Sequence, residues 1–196
     1  MTDRSAEISR TTKETHVELR LGLDGTGEGS RRTGVGFFDH LLDAVARHGR
    51  LDLEVRAEGD LETGPHHTVE DTGLALGEAI DEALGERAGI ERYGLATVPM
   101  DEALATCAID VSGRPYTRFE ADLPPVSVGG FDADLAEEFV RAVSAKAKLT
   151  VHLRIETGTN AHHMIEAAFK AFARALRAAV AVDVGTTDVP STKGLL

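Results

Sequence analysis

Two segments of the 196-residue chain carry the same pattern of two adjacent histidines followed by a glutamate, H-H-x-x-E. The first begins at His66 and reads HHTVEDTGLALGEAI, and the second begins at His162 and reads HHMIEAAFKAFARAL. Apolar residues recur at helical spacing after both pairs, so each motif is predicted to lie on a helix. Because residues four apart share one face of a helix, His66 can bind an ion together with Glu70, and His162 together with Glu166.

The second histidine of each pair points about 100° away around its helix, so it cannot share that ion. If the two motifs face each other about a pseudo-twofold axis, His163 completes the site of the first motif and His67 that of the second. Mixed imidazole and carboxylate ligands favour Mn, Fe or Zn over Ca or Mg. A single H-x-x-x-E is usually a surface contact, but two copies at matching places in a repeat favour metal binding.

The motifs belong to a longer internal repeat. HLLDAVARHGRL from His40 aligns without gaps with EFVRAVSAKAKL from Glu138, which adds His40 and Glu138 as a symmetric pair of candidate ligands. ETHVELRLGLDG from Glu14 aligns with EALATCAIDVSG from Glu102 in spacing and alternation. Each half of the chain is therefore predicted to contain strands, a helix, a strand and a long helix.

Hydrophobic periodicity locates the elements that must position these residues. The predicted strands cover about residues 15–23, 51–57, 104–111 and 149–155. The predicted helices cover about residues 37–48, 67–86, 132–147 and 162–181. The glycine-rich segment 24–30 is predicted to be a hairpin loop, because its spacing does not match a phosphate-binding glycine motif.

These elements predict an α+β fold of two similar halves packed as one unit. Each half is expected to form a mixed β-sheet covered on one face by two helices. The seam is placed near GERAGIERYG, where glycines interrupt the pattern. The predicted divisions are 1–90 for the first half, 91–185 for the second half and 186–196 for a C-terminal tail.

Composition narrows the classes of function. The net charge of −12 argues against a general nucleic-acid binder, because the phosphate backbone selects clustered Lys and Arg. No apolar run approaches the roughly 20 residues of a membrane span, and the N-terminus lacks the apolar stretch of a signal peptide. The single cysteine, Cys107, cannot form an internal disulfide, so we expect a cytoplasmic location.

Six segments give the chain a close resemblance to the imidazoleglycerol-phosphate dehydratase family. They are TGVGFFDHLLDAVARHG (33–49), HHTVEDTGLALG (66–77), ERYG (91–94), DEALATCAIDVSGRP (101–115), GTNAHHMIEAAFKAFARALR (158–177) and PSTKG (190–194). The resemblance implies a fold like that of ribosomal protein S5 domain 2. It also implies a lyase that removes water from imidazole glycerol phosphate to give imidazole acetol phosphate in histidine biosynthesis. The implied assembly is a homo-oligomer of 24 subunits with active sites at subunit contacts.

The same resemblance implies two manganese ions per active site and assigns their ligands. The ligands at one site are His40, His67, His162 and Glu166, and those at the other are His66, Glu70, His163 and Glu138. Some relatives carry a histidine at the position of Glu138. A carboxylate there departs from that pattern, although carboxylates also suit manganese.

The residues that the resemblance implies near the substrate suit a phosphate monoester, which selects guanidinium, ammonium and hydroxyl donors. They are Glu14, Arg92, Arg114, Lys170, Ser191 and Lys193, and we predict further contacts from His48 and Thr192. We expect catalysis through an imidazolate held by two ions, which expels the neighbouring hydroxyl. Glu14, with Glu102 as its repeat counterpart, is the first candidate for the base that removes the C–H proton. Glu70 and Glu166 are further catalytic candidates, and they are less available for the role of base if they hold metal.

Two other functions fit the motifs less completely. Another dimetal enzyme, such as a phosphatase or hydrolase, would release phosphate. A non-catalytic metal-binding assembly protein would bind ions and form particles without turnover, and it leaves the phosphate-type residues unexplained. His16, His48 and His152 have no support from the repeat, so we expect them to be structural or to act behind the metal ligands.

Overall fold

The computed structural model describes residues 4–196, and its elements form two successive sets in the same order. In the first set, strands β1 (Ser5–Thr11), β2 (Thr15–Gly22) and the short β3 (Arg31–Arg32) precede helix α1 (Gly36–Gly49). Strand β4 (Asp52–Gly59), a 3-10 turn at Leu61–Thr63 and the long helix α2 (His66–Leu84) complete the set.

The second set repeats this order with one addition. Strands β5 (Tyr93–Met100), β6 (Ala103–Asp110) and β7 (Tyr116–Glu120) are followed by a small hairpin of β8 (Ser127–Val128) and β9 (Phe131–Asp132). Helix α3 (Leu135–Ala147), strand β10 (Thr150–Thr157) and helix α4 (Ala161–Val180) close the set. The predicted repeat of strands, helix, strand and long helix is confirmed.

Each set builds a four-stranded mixed sheet. The strand orders are β1-β2-β4-β3 and β5-β6-β10-β7, so equivalent strands occupy equivalent places. Three strands of each sheet are antiparallel to their neighbours. The remaining edge strand runs parallel to its neighbour, β3 to β4 and β7 to β10. The predicted α+β class with two similar mixed sheets is therefore confirmed.

Side chains alternate along the strands, so each sheet has an apolar face and a polar face. On β2, Val17, Leu19 and Leu21 are buried, whereas Glu18 and Arg20 between them are exposed. Strands β4, β6 and β10 alternate in the same way. The apolar faces contribute to one hydrophobic cluster that includes residues of both sets.

The helices join the two sets into this shared core. Helix α2 lies on β1 and β2, and α4 lies on β5 and β6, while α1 packs against α4 and α2 against α3. Glycines allow the close approach of α2 to α3. A side-chain carbon at Gly73 would lie 2.8 Å from Ala142 Cβ, and one at Gly77 would lie 2.5 Å from the carbonyl oxygen of Val143. Each motif helix is therefore held by a helix of the other set.

Two local predictions need correction. The helix predicted from residue 132 begins at Leu135, because Phe131 and Asp132 pair with β8 instead. Segment 24–30 is a loop but does not form a hairpin, because β4 lies between β2 and β3 in the sheet. The Asp52 carboxylate holds this loop by accepting hydrogen bonds of 2.8–3.1 Å from the backbone N–H groups of residues 26–28.

The end of the chain returns to the seam between the two sets. A bridge between Ile90 and Val182 joins the segment after α4 to the segment before β5. The division of the chain at residues 90 and 185 stays a prediction. Among residues 4–196, no helix combines the length and the apolar character that a membrane span requires.

Candidate metal and active site

Helices α1 and α4 bring three candidate ligands together. The Nε2 atoms of His40 and His162 lie 2.9 and 3.0 Å from the same oxygen, Oε2 of Glu166. One ligand atom from each of the three side chains lies within 4.8 Å of the other two. Two imidazoles and a carboxylate at this spacing form a donor set that fits Mn²⁺, Fe²⁺ or Zn²⁺. We call these three residues the α4 group.

The local sequence explains why α4 presents its ligands here. The Asn160 side chain caps the helix by accepting a 3.0 Å hydrogen bond from the backbone N–H of His162. His162 and Glu166 then lie one turn apart on the same face. His40, in the second turn of α1, meets them across the contact between α1 and α4. The helix start and the helix packing together define the group.

Burial and charge act in opposite directions on Glu166. Only 8% of its side chain is exposed, and this burial raises its pKa. The hydrogen bonds and charges of Lys170 and His40 outweigh burial and lower the pKa to about 2. Lys170 Nζ lies 2.6 Å from Oε1, the oxygen that the histidines do not contact. Glu166 is therefore ionised at neutral pH, as a metal ligand must be.

The corresponding residues of α2 are more open. His66 Nε2 lies 4.0 Å from Glu70 Oε2, and 55% and 44% of these side chains are exposed. Glu138 has the place in α3 that His40 has in α1, counted back from the helix ends. No third ligand atom joins His66 and Glu70, since the α4 group is the only group of three or more candidate ligands in residues 4–196. The second predicted site is therefore incomplete within one chain.

The second histidine of each motif contacts a carboxylate instead. His67 Nδ1 lies 3.0 Å from Asp60 Oδ2, and His163 Nδ1 lies 2.8 Å from Glu102 Oε2. These hydrogen bonds raise the pKa of both histidines. The hydrogen bond from His163 is the largest influence that lowers the pKa of Glu102 to about 2. Within one chain, neither His67 nor His163 joins the α4 group, so the facing arrangement expected from the pseudo-twofold axis does not form there.

Glu14 and Glu102, which are equivalent in the repeat, have different surroundings. Glu14 lies in the turn between β1 and β2, and its negative charge helps to raise the pKa of His67. Within the described residues its carboxylate accepts no hydrogen bond, and only its backbone is engaged. Glu102 Oε1 accepts hydrogen bonds of 3.1 and 2.8 Å from the backbone N–H groups of Thr159 and Asn160. Glu102 is therefore an occupied carboxylate, unlike its counterpart.

A cleft near the end of the chain collects cationic and hydroxyl side chains. It has a volume of about 960 Å³, and its lining includes Arg92, Arg114, Ser191, Thr192 and Lys193. These residues come from three distant parts of the sequence, and all five were predicted to lie near the substrate. Guanidinium, ammonium and hydroxyl donors at one place are suited to bind a phosphate group.

The two arginines of this cleft are not equivalent. Arg92 donates hydrogen bonds of 2.8 and 3.3 Å to the Asp110 carboxylate and one of 2.7 Å to the carbonyl oxygen of Pro190. Arg92 therefore fixes the C-terminal segment against the end of β6. The only hydrogen bond of the Arg114 guanidinium within the described residues goes to the carbonyl oxygen of Ser112, at 3.2 Å. Most of its donors remain available for an anion.

Sequence comparisons place this site in a known family. The family model for imidazoleglycerol-phosphate dehydratase matches residues 33–176. The chain is 56% identical over 193 residues to the imidazoleglycerol-phosphate dehydratase of Methanoculleus marisnigri, covering 98% of this chain and 100% of that protein. The chain belongs to the imidazoleglycerol-phosphate dehydratase family. It is also 55% identical over 191 residues to the same-named protein of an Exiguobacterium species, covering 97% of each.

Solved structures of imidazoleglycerol-phosphate dehydratases have the same fold. The crystal structure of the Staphylococcus aureus protein matches with a TM-score of 0.83 at 40% identity, covering 91% of this chain and 99% of that one. The Pyrococcus furiosus protein, crystallised with (S)-C348, matches with a TM-score of 0.84 at 37% identity, covering 96% and 100%. The family, the enzyme class and the fold class expected from the sequence are thereby confirmed.

Two residues predicted to contact the substrate, Lys170 from the dehydratase resemblance and His48 as a further prediction, lie beside the α4 group. Lys170 contacts Glu166, and its Nζ atom is 3.8 Å from Met100 Sδ. His48, in the last turn of α1, faces Lys170 and Arg174 of α4. Burial and these two positive charges lower the pKa of His48, so its ring is neutral at pH 7. Neither residue lines the cleft around Arg114.

Asp71 is a buried acid of the dehydratase motif helix that the sequence pattern did not single out. Its carboxylate accepts hydrogen bonds from Arg10 Nε at 2.7 Å, from Thr12 Oγ1 at 3.4 Å and from Thr15 Oγ1. These contacts fasten the β1–β2 hairpin, which carries Glu14, to α2. The sequence feature that could have identified Asp71 is an acidic residue on the otherwise mostly apolar face of the predicted helix. The signal for Asp60 was weaker, because it stands alone in a loop.

Proposed function

We propose that the chain catalyses the dehydration of imidazole glycerol phosphate to imidazole acetol phosphate in L-histidine biosynthesis, and that it does so in the cytoplasm. The observation that carries this proposal is the α4 group, found in a chain that matches dehydratases over nearly its full length. The cleft around Arg114 supports a phosphorylated substrate. The acidic net charge agrees with a small-molecule substrate and argues against nucleic acid as a partner.

The cofactor that we infer is manganese, with two ions per active site. The α4 group supplies ligands for one ion, and His66 with Glu70 supplies part of the set for the other. Glu138, on the helix that packs against α2, is the remaining carboxylate candidate of the second site. When bound, the ions would supply Lewis-acid stabilisation of negative charge on the substrate's imidazole ring.

We infer that the complete ligand sets form between copies of the chain. Within one chain His67 and His163 do not reach the α4 group, and His66 and Glu70 lack a third ligand. All four side chains are at least partly exposed, so a neighbouring subunit can approach them. The assembly that the family resemblance implies, a homo-oligomer of 24 subunits, would supply that neighbour.

Glu14 is the residue that we assign to removal of the substrate's C–H proton. Dehydration removes this proton and the hydroxyl group of the adjacent carbon, and the resulting enol tautomerises to the ketone. The Glu14 carboxylate is not engaged with other described residues, and it lies close to the candidate ligand His67. A general base placed in this way contributes about 10²–10⁴ to the rate.

The other side chains bind and orient. Arg114, Ser191, Thr192 and Lys193 would donate hydrogen bonds to the phosphate group, and Arg92 holds the C-terminal segment that carries three of them. Lys170 keeps Glu166 ionised and fixes the direction of its carboxylate. The neutral His48 beside Lys170 can accept or donate a single hydrogen bond to the substrate.

The test of this function is product formation from imidazole glycerol phosphate, measured with metal-stripped protein before and after addition of Mn²⁺. We expect imidazole acetol phosphate to form only with the metal and without release of free phosphate. Release of phosphate would contradict the proposal and indicate a dimetal hydrolase. Metal binding and particle formation without either product would indicate a non-catalytic assembly protein.

A further inference from the structure

The two histidines that do not join the α4 group share a feature at their ring nitrogens. His67 Nδ1 lies 3.1 and 3.0 Å from the two oxygens of Asp60, and His163 Nδ1 lies 2.8 Å from Glu102 Oε2. An ionised carboxylate can only accept a hydrogen bond. Each Nδ1 must therefore carry a proton, and in the neutral ring the free electron pair is on Nε2.

The opposite nitrogen of each ring is unoccupied by hydrogen bonds. Within residues 4–196, Nε2 of neither His67 nor His163 has a hydrogen-bond partner, and the nearest acid to His163 Nε2 is Asp101 Oδ2 at 3.7 Å. Both rings remain accessible, with 40% of the His67 side chain and 25% of the His163 side chain exposed. In both rings, the nitrogen that can bind a metal ion is therefore free of hydrogen bonds within the described residues.

The carboxylates come from different parts of the two halves. Asp60 lies in the segment between β4 and α2. The corresponding segment of the second half, 158–160, is shorter and contains no acidic residue. There the β5–β6 turn supplies Glu102 instead, whereas the equivalent Glu14 of the first half stays free. In both halves a carboxylate therefore contacts Nδ1 of the second motif histidine, although the carboxylate comes from a different segment in each half.

We propose that Asp60 and Glu102 are positioning residues that hold His67 and His163 in the Nδ1-protonated form, so that Nε2 of each ring is directed toward a metal ion. This inference rests on the proposed manganese function, and it adds the two residues that prepare the outward-facing ligands. Metal-binding histidines generally donate their second ring N–H to a carboxylate, and removal of that carboxylate weakens metal binding by about 10–100-fold.

Glu102→Gln tests this role without removing the contact of residue 102 with the turn before α4. Glu102 Oε1 is fixed by the backbone N–H groups of Thr159 and Asn160, so the glutamine carbonyl oxygen takes its place there. The amide NH₂ group then faces His163 Nδ1, where it can only donate. The ring must move its proton to Nε2 in order to accept, and this blocks the metal-binding nitrogen.

The pair Asp60→Ala and Asp60→Asn provides the matched comparison. Asp60 contacts His67 Nδ1 through both oxygens, and Oδ2 also accepts from Thr63 Oγ1 at 3.0 Å. A hydroxyl group can donate or accept. The asparagine amide can therefore face Thr63 while its carbonyl oxygen keeps the contact with His67. Alanine removes the contact, so the conservative variant should restore what alanine loses.

Two measurements on the full chain decide the matter. Solid-state NMR of metal-free protein with ¹⁵N-labelled histidine reports which ring nitrogen carries the proton, and electron paramagnetic resonance of free Mn²⁺ reports metal affinity. We expect E102Q to shift one histidine to the Nε2-protonated form and to weaken Mn²⁺ binding by about 10–100-fold. D60A should weaken binding by a similar factor, and D60N should recover most of it. Thermal unfolding in chelator should show that E102Q keeps a cooperatively folded state, because the contact of residue 102 with the turn before α4 is retained.

The outcomes separate this inference from the function on which it rests. If E102Q and D60A bind Mn²⁺ as tightly as the unchanged chain, the two carboxylates are structural and the inference is overturned. If D60N binds Mn²⁺ no more tightly than D60A, residue 60 does not act by accepting a hydrogen bond from His67. If the unchanged chain binds no Mn²⁺, the manganese assignment itself is wrong, and the inference falls with it.

Discussion

The two motif helices, α2 and α4, begin with the same H-H-x-x-E pattern, but the motif residues of the two helices have different surroundings. At α4, His40 of the neighbouring helix α1 contacts Glu166, which also contacts His162. The Glu166 side chain is 8% exposed. On α2, the two motif ligands lie 4.0 Å apart, and the side chain of Glu70 is 44% exposed. One half of the repeat therefore builds a compact group, whereas the other half leaves its ligands open.

The third residue explains much of this difference. Helix α1 supplies His40, whose ring N–H can donate to Glu166 without a metal. Helix α3 has Glu138 at the equivalent position, and an ionised carboxylate cannot donate a hydrogen bond to Glu70. Within the described residues, no third side chain of this kind joins His66 and Glu70. The comparison shows that a duplicated motif does not produce a duplicated group of side chains when the third position changes from a hydrogen-bond donor to an acceptor.

The largest expected effect is on metal binding by the compact group. His162→Ala should weaken Mn²⁺ binding at one of the two proposed metal sites. The loss should exceed about 100-fold, the upper range for residues that only hydrogen-bond to a metal ligand. His152→Ala is the control, because this ring lies on the exposed face of β10 beside Tyr116. Isothermal titration with both variants measures the effect. Unchanged affinity and stoichiometry in H162A would mean that the ligand scheme is wrong.

The second effect separates the two equivalent glutamates. Glu14→Gln should lower turnover about 100-fold, within the range for loss of a general base, and should leave Mn²⁺ affinity intact. Glu18→Gln, on the exposed face of β2, is the control for loss of charge nearby. Steady-state kinetics and metal content give the two readouts. Near-normal turnover of E14Q would remove Glu14 from the role of base.

The third effect concerns how each half fastens its first hairpin. The first half uses Asp71 with Arg10, whereas the equivalent positions of the second half are the apolar Ala167 and Val98. Asp71→Ala should lower the free energy of unfolding by about 2 kcal/mol, because it leaves a partly buried guanidinium and two hydroxyls without an acceptor.

The double variant R10V with D71A should recover part of this loss, because it removes the unpaired charge together with its partner. Denaturant unfolding of the two variants and of R10V alone completes a double-mutant cycle. If the double variant is as unstable as the sum of the single ones, the ion pair does not fasten the hairpin.

The smallest effect is the pH dependence that Glu166 contributes to the stability of the fold. Glu166 has a pKa of about 2 in the folded chain and 4.5 as its ordinary value. A carboxylate with a lowered pKa stabilises the fold above its ordinary pKa, and this contribution is lost as the pH falls toward 2. In chelator, Glu166→Gln should remove about 1 kcal/mol of stability at pH 7, roughly 2–4 °C in Tm.

The contribution of Glu166 should vanish in wild type as the pH is lowered from about 4.5 toward 2, so the Tm values of the two proteins should converge there. Glu70→Gln is the matched control, because Glu70 is the equivalent glutamate of α2 and its Oε2 lies 4.0 Å from His66 Nε2. Parallel Tm curves for E166Q and wild type would contradict the assignment of this pH dependence to Glu166.

Local patterns predicted the four long helices, the four central strands and the residue pairs that share one face of each motif helix. The four long helices and the four central strands were located from periodicity, because amphipathic spacing reports burial directly. The four edge strands β1, β3, β5 and β7 were not located, because each buries at most one residue and therefore shows little alternation of apolar and polar positions. The partners Asp60 and Asp71 were missed for a related reason: a single acidic residue has no spacing that could identify its contact.

The sequence by itself determined the repeat, the helix faces that pair a histidine with a glutamate, and the membership of the family. These follow from spacing within one turn of helix and from similarity along the chain. Only the tertiary structure decided that His40 joins Glu166, 126 positions away, that Glu102 is occupied by His163 while Glu14 is free, and that the α2 ligands stay open. Such contacts depend on how helices and turns pack across the whole core, and side-chain spacing along the chain carries no information about those distances.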